Sequence, residues 1–437
     1  MIPSTATPSR ARGGARCARS GPAARRWLAA GLAAAFCAAA AGVGSGASRP
    51  AAARLPAGVT VEVTGNPADP QIIRDGIRQA ILRATTARPG SQISIDAVDP
   101  PPLRPGERSR IRVRVAVRNP MATAVSGDVW AAVTNVPMDL ATPARLLVSN
   151  RPETVTANGL LFEEAVAPDE SVRLLYHHRN GAATRKVITV TLANPAEAPA
   201  VVVLTGAAAG PSNDVMYAGG AATARFVRRL AAGQGLVLDL PGRRAYTFAV
   251  VDAPPGALVT GLLQAQLLRG AQVTVSVHIR APWLLARTVT TEVNQPAVAH
   301  PRGVFRIAEV RLGRTVRDGE RVVLTDLGAV VTPDDPATGE RLRGDYGILY
   351  RLIVELINPL DGPVAFEITA EALNGPARGM LLIDGWPVDF GLLRVGQGRV
   401  LTSLEVAPHD TRIVEMLTMP AAGSFYPVRL AVQSIPK

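Results

Sequence analysis

A strand that closes on Asn-Pro occurs at Asn194-Pro195 and again at Asn358-Pro359, and each opens the same succession of turns. Pro195 is followed 16 residues on by Gly210-Pro211, and Pro359 is followed 17 on by Gly375-Pro376. Gly233-Gln234-Gly235 and Gly396-Gln397-Gly398 then each introduce a Val/Leu strand. A proline turn follows, at Pro241 or Pro408, and 18 residues later another strand, around Val259 or Tyr426. Anchors in one order at offsets of 163–167 residues predict two copies of one β-domain, over 172–283 and 303–437, with a linker at 284–302. The Asn-Pro step suits a strand end. Proline forces the residue before it into extended geometry and cannot donate to a ladder, while asparagine bonds nearby backbone in the turn.

The remaining pattern is also β. Ile111, Val113, Val115 and Val117 alternate with Arg110, Arg112, Arg114 and Ala116, a period of two. Turn residues recur about every 8–12 positions, the cadence of a sandwich, and the 40 Gly and 36 Pro of the 437 residues supply them. A weaker echo begins at Asn119-Pro120, so 93–171 is either an incomplete third copy or generic β spacing. The stretch Leu103 to Pro120 joins a Pro-Gly-Glu turn, an alternating strand and an Asn turn. It resembles the opening hairpin of bacterial extracellular immunoglobulin-like modules of the cell-adhesion-related type. The resemblance implies a sandwich on the cell exterior and carries no functional residue with it. The expected fold class is therefore all-β, with tandem immunoglobulin-like β-sandwich domains and a small N-terminal α+β segment.

Arg10, Arg12, Arg16, Arg19, Arg25 and Arg26 precede an uncharged Ala-rich run from Trp27 to Val43 and then small residues through Ala47. This is the order of a secretory signal peptide, expected over 1–47. The Arg25-Arg26 pair leaves Sec and twin-arginine export both open. Cys17 and Cys37 both fall inside the signal, so the exported chain is expected to have no disulfide and no thiol chemistry. Six of the 47 basic residues leave with it, and 41 against 35 acids lowers the net charge from +12 to +6. That excess is scattered, so no nucleic-acid partner is expected. The segment 48–92 carries one helix, expected over 69–87. Asp69 caps it, Pro70 opens it, and Ile72, Ile73, Ile77 and Ile81 share a face.

Catalytic patterns are scarce. His177, His178, His278, His300 and His409 have no metal-ligand spacing, and the adjacent pair on a strand points to opposite faces. No nucleophile elbow or phosphate loop occurs, and the carboxylate pairs Glu163-Glu164 and Asp334-Asp335 diverge on strands. Asp334, Asp335, Glu340 and Asp345 have calcium-type oxygens, but Arg341 and Arg343 among them favour a charged surface turn. No metal or cofactor is expected. Arg110, Arg112, Arg114 and Arg118 lie on one strand face. They form either an anion-binding surface or, the favoured reading, a solvated face paired with neighbouring acids such as Asp128. The loop after Gly375-Pro376 carries Asp384, Trp386, Asp389 and Phe390. An exposed Trp386 beside carboxylates suits a sugar, although a buried aromatic plug is favoured. The equivalent stretch of the preceding copy, with Asn213, Asp214 and Tyr217, is expected as a loop too.

The sequence points first to an exported, non-enzymatic structural or adhesion protein of the bacterial envelope or exterior. Its partner would be an envelope polymer or another envelope protein. A glycan- or anion-binding module is the alternative, and a secreted hydrolase comes third.

Overall fold

The computed structural model describes residues 49–284 and 302–435. The expected signal at 1–47 and all of the expected linker but residues 284 and 302 lie outside the described residues. From Arg49 onward the chain packs as one compact unit. It is all-β, with two α-helices among the described residues.

The N-terminal part comprises β1 (Ala53–Arg54), β2 (Gly58–Thr64), α1 (Pro70–Ala84), β3 (Thr86–Ala87), β4 (Gln92–Ile95), β5 (Arg108–Arg118), β6 (Val125–Asn135), β7 (Arg145–Ser149) and β8 (Thr154–Val155). Asp69 caps α1 by accepting from the Gln71 N–H at 2.6 Å. The helix stops at Ala84, three residues before the expected end, because Thr86 and Ala87 pair with β1. Its Ile72, Ile73, Ile77 and Ile81 join one core with Val61, Val63, Val113, Val133 and Leu236.

The next part contains β9 (Gly159–Val166), β10 (Ser171–Asn180), β11 (Lys186–Ala193), β12 (Ala200–Ser212), α2 (Val215–Ala231), β13 (Gly235–Leu240), β14 (Ala245–Ala253), β15 (Leu258–Arg269) and β16 (Val273–Arg280). Its two sheets run β14-β11-β16-β9 and β10-β15-β12-β13. The first, eighth, third and sixth strands thus face the second, seventh, fourth and fifth. This order refines the expected sandwich: it is a jelly roll of two Greek keys, whereas an immunoglobulin sandwich sets ABED against CFG.

The last part contains β17 (Arg302–Phe305), β18 (Glu309–Arg317), β19 (Arg321–Leu327), β20 (Leu349–Ile357), β21 (Val364–Ala372), β22 (Met380–Ile383), β23 (Trp386–Asp389), β24 (Gly398–Val406), β25 (Thr411–Thr418) and β26 (Val428–Ile435). One sheet, β19-β26-β21-β24, repeats the β10-β15-β12-β13 order strand for strand. The facing sheet differs. Where β16 stands in the first sandwich, β18 pairs directly and in parallel with β20, from Glu309↔Leu349 to Arg317↔Ile357.

The Asn-Pro corners are built alike. Asn194 Nδ2 donates to the carbonyls of Ala198 (2.9 Å) and Leu240 (3.0 Å), and its Oδ1 accepts from Ala196 N. Asn358 Nδ2 donates to those of Gly362 (2.8 Å), Val406 (3.1 Å) and Ala407 (2.9 Å), and its Oδ1 accepts from Leu360 N. Both side chains are buried and cross-link a strand end to a turn of the opposite sheet. At Asn119-Pro120, by contrast, the chain makes the β5–β6 hairpin within a single sheet.

The larger sheet of the first sandwich continues from β13 through β2, β6 and β5 to β4, and on its other side from β10 through β7 to β17. The stretch around Asn213, Asp214 and Tyr217 is not a loop: Asp214 accepts from Tyr217 N and caps α2. Phe226 and Val227 of α2 meet Leu175, Ala207 and Leu262 of the first sandwich and Met380, Leu382 and Met419 of the second. A buried arginine reinforces that seam. Arg173 on β10 donates to the Ala308 (2.5 Å) and Gly347 (3.1 Å) carbonyls and to Gln264, 5.6 Å from the Phe226 ring centroid. Burial lowers its pKa to about 10, so it remains charged at neutral pH.

Candidate functional site

β5 is eleven residues long, and its alternation is strict. Val113, Val115 and Val117 are buried, while Arg108, Arg110, Arg112, Arg114 and Arg118 are exposed on the opposite face. Along a strand, same-face side chains stand about 6.8 Å apart. The four arginines expected to share a face do so, and Arg108, which opens the strand, lengthens the row.

The register shows what lies beside them. On β6, Thr134, Ala132, Trp130, Asp128 and Ser126 stand opposite Arg108, Arg110, Arg112, Arg114 and Ala116. On β4, Gln92 stands opposite Arg118. The one ion pair in this row joins Arg114 to Asp128 at 3.3 Å, with Ser126 Oγ also within reach of the guanidinium. Among the described residues, Arg108, Arg110, Arg112 and Arg118 have no carboxylate within ion-pair distance, so the expected pairing with Asp128 is made by Arg114 alone. Arg110 instead lies 4.5 Å from the centroid of the Trp130 ring, itself 39% exposed. The face therefore offers a row of guanidinium groups with one aromatic plate, open to solvent. Sequence reasoning missed Trp130 because register decides which residue of β6 meets which arginine.

The β22–β23 hairpin does not gather its three candidates. Trp386 opens β23 and is 77% exposed, so it is not the buried plug; Phe390, just past the strand, is fully buried in the second core and takes that role. Asp384 sits in the hairpin turn and is occupied, accepting from Glu415 N at 3.0 Å and pairing with Arg412 at 3.2 Å. Asp389, three residues from Trp386 on the same strand, points to the other face. Its Oδ1 accepts from Gly391 N.

His177, His178 and the four acids of the 334–345 turn hold structure. His177 bonds Thr260 Oγ1 at 2.7 Å, while His178, on the opposite face of β10, bonds Ser149 Oγ and the Pro152 carbonyl, each at 2.8 Å. Burial lowers the His178 pKa to about 4. The four acids of the 334–345 turn each find separate partners. Asp334 pairs with Arg341 at 3.0 Å, Asp335 accepts from Val304 N and Ala337 N, Glu340 pairs with Arg151, and Asp345 accepts from the Tyr350 hydroxyl. No group of three metal-type ligands occurs among the described residues. No helix among them is long and apolar enough to cross a membrane.

No family model and no curated protein matches the chain. Among solved structures it is similar to the M60 catalytic domain with two CBM51 domains of Clostridium perfringens ZmpB. The identity is 8% and the TM-score 0.16, over 78% of this chain and 43% of that one. It is also similar to the CBM22 tandem of Paenibacillus barcinonensis Xyn10C. There the identity is 10% and the TM-score 0.17, over 80% of this chain and 93% of that one. The chain thus spans less than half the length of the first of these structures. Superpositions this loose assign neither a function nor a ligand.

Proposed function

We propose that the protein is an exported, non-enzymatic structural or adhesion-type component of the bacterial cell envelope or exterior, and that it holds an acidic polymer against the exposed face of β5. The observation that carries the reading is the run Arg108, Arg110, Arg112 and Arg118, which lacks carboxylate partners among the described residues. Arg108, Arg110, Arg112 and Arg114 follow one another about 6.8 Å apart, with Arg118 about twice that distance beyond Arg114, and such a row on a rigid strand attracts a polyanion without ordering the backbone first. The basic and then apolar N-terminal run supports export. Asp384, His177 and His178 are committed to structural bonds, which suits a structural role for these three residues.

Fluorescent heparin titrated into the protein, with and without Arg108, Arg110, Arg112, Arg114 and Arg118 all replaced by Gln, tests the site. Affinity should fall at least about tenfold in the variant, and raised salt should weaken binding to the native face much more than to the substituted one. Equal affinity for both proteins removes this face as the site. Reproducible hydrolytic turnover of a polysaccharide or peptide would overturn the non-enzymatic assignment.

A further inference from the structure

Between the two sandwiches lies a cavity of about 760 Å³ that shares no residue with the arginine face. Leu175 and His177 of β10 line it from the first sandwich, the 340–346 segment from the second, and the 422–426 turn closes one side. Three chemistries meet there.

The first is aromatic. Phe425 is 55% exposed, yet its backbone is held by Phe425 N donating to the Pro376 carbonyl at 3.1 Å. A Cβ at Gly375 would come within 2.6 Å of the Phe425 Cβ, so that glycine lets the ring-bearing turn approach. Tyr346 is pinned beside it. Its hydroxyl donates to the Ser424 carbonyl at 2.7 Å, and its ring meets Tyr426 edge-on at 5.9 Å.

The second is cationic. Of the three arginines lining the cavity, Arg151 pairs with Glu340 and Arg341 with Asp334. Arg343 is exposed and has no carboxylate partner among the described residues. The third is an acceptor: Asn150 also lines the cavity, and its Oδ1 is shielded from solvent and has no hydrogen-bond donor among the described residues. A buried acceptor without a partner costs about 1–3 kcal/mol, and a ligand hydroxyl would recover that once the Asn150 amide turns into the cavity.

We propose that this cavity binds a pyranose carrying a carboxylate, a unit of the uronic-acid type. Its apolar ring face would lie on Phe425, its carboxylate would pair with Arg343, and a ring hydroxyl would donate to Asn150 Oδ1 once that amide turns into the cavity. A neutral sugar leaves Arg343 unused. A simple inorganic anion leaves Phe425 and Asn150 unused. The combination selects the acidic sugar over both.

Calorimetric titration of the protein with digalacturonic acid, and with the neutral galactose disaccharide as comparison, tests this. Saturable binding of the acidic sugar is expected, at least about tenfold tighter than the neutral one. Arg343→Gln should remove that preference, and Phe425→Ala should weaken both sugars. Both residues are exposed, so both variants should fold, and unchanged thermal melting without ligand checks this. Replacing Arg110, Arg112, Arg114 and Arg118 together should leave disaccharide binding unchanged, which separates this site from the polymer face. Absence of saturable binding, or an acidic-sugar preference that survives Arg343→Gln, overturns the proposal.

Discussion

The two sandwiches share four strands in one order and the same buried Asn corner, yet differ at two places. The first inserts helix α2 between its fourth and fifth strands; the second inserts the β22–β23 hairpin at the equivalent place. The first sets β16 between β11 and β9; the second pairs β18 with β20 directly. The shared features are backbone devices. Asparagine replaces missing ladder bonds at a corner, and any sequence that keeps it can keep the order. The differing features carry individual roles. α2 has turned inward to become the seam between sandwiches, while the hairpin has kept its tip, Trp386, in water.

The sharpest way to break this comparison is to empty the seam. Phe226 is fully buried and reaches groups from both sandwiches. Phe226→Ala should cost about 3–5 kcal/mol, the usual penalty for deleting a buried aromatic. Because the lost contacts join two bodies, thermal unfolding should also split into two transitions by calorimetry. A single transition with a small shift would mean that the sandwiches cohere without α2.

The corners give the next effect. Asn194→Ala and Asn358→Ala each orphan buried carbonyls, and each should cost about 2–4 kcal/mol. Near-equal losses in chemical denaturation would support equivalence of the two copies. Asn119, at an exposed hairpin in one sheet, should cost about 1 kcal/mol or less on the same substitution, since water can replace its bonds. A loss at Asn119 matching the other two would erase the distinction between a sandwich corner and a hairpin.

How much of this was legible follows from what each signal depends on. The corners were readable because Asn-Pro acts through its own backbone, whatever it packs on. The arginine row was readable because period two is local. Its lack of partners was not, because that depends on the cross-strand register that brings Ala132 and Trp130, rather than acids, beside Arg110 and Arg112. The helix α2 escaped for a different reason. Comparing copies implies equal inserts, and Gly219-Gly220 lowers helix propensity. The structure explains Gly219: a Cβ there would lie 1.6 Å from the Ala422 carbonyl oxygen, so the close approach of the second sandwich requires glycine. Which aromatic of this loop is the buried plug was not legible either: Trp386 is exposed and Phe390 buried, and that depends on how the chain packs just past β23.

A further effect concerns pH, and again the two regions differ in sign. In the first sandwich His178 is buried and neutral, with its pKa lowered from 6.5 to about 4, chiefly by burial and in part by Arg302, against the opposing bond to the Pro152 carbonyl. The unfolded chain takes up a proton there before the folded one does. The contribution of His178 is therefore complete above about pH 6.5 and is lost progressively as pH falls toward about 4. Between pH 7 and pH 5 the loss is on the order of 2 kcal/mol at most, at about 1.4 kcal/mol per unit. In the second sandwich the buried carboxyl of Asp345 has its pKa raised by burial, so the folded form protonates first and acid relieves it. Melting temperatures of the protein and of His178→Asn, which retains an amide near the Pro152 carbonyl, isolate the contribution of the histidine. The variant should start less stable and decline less steeply between pH 7 and pH 5. Parallel declines would place the acid sensitivity elsewhere, and would leave the two sandwiches alike in their response to protons.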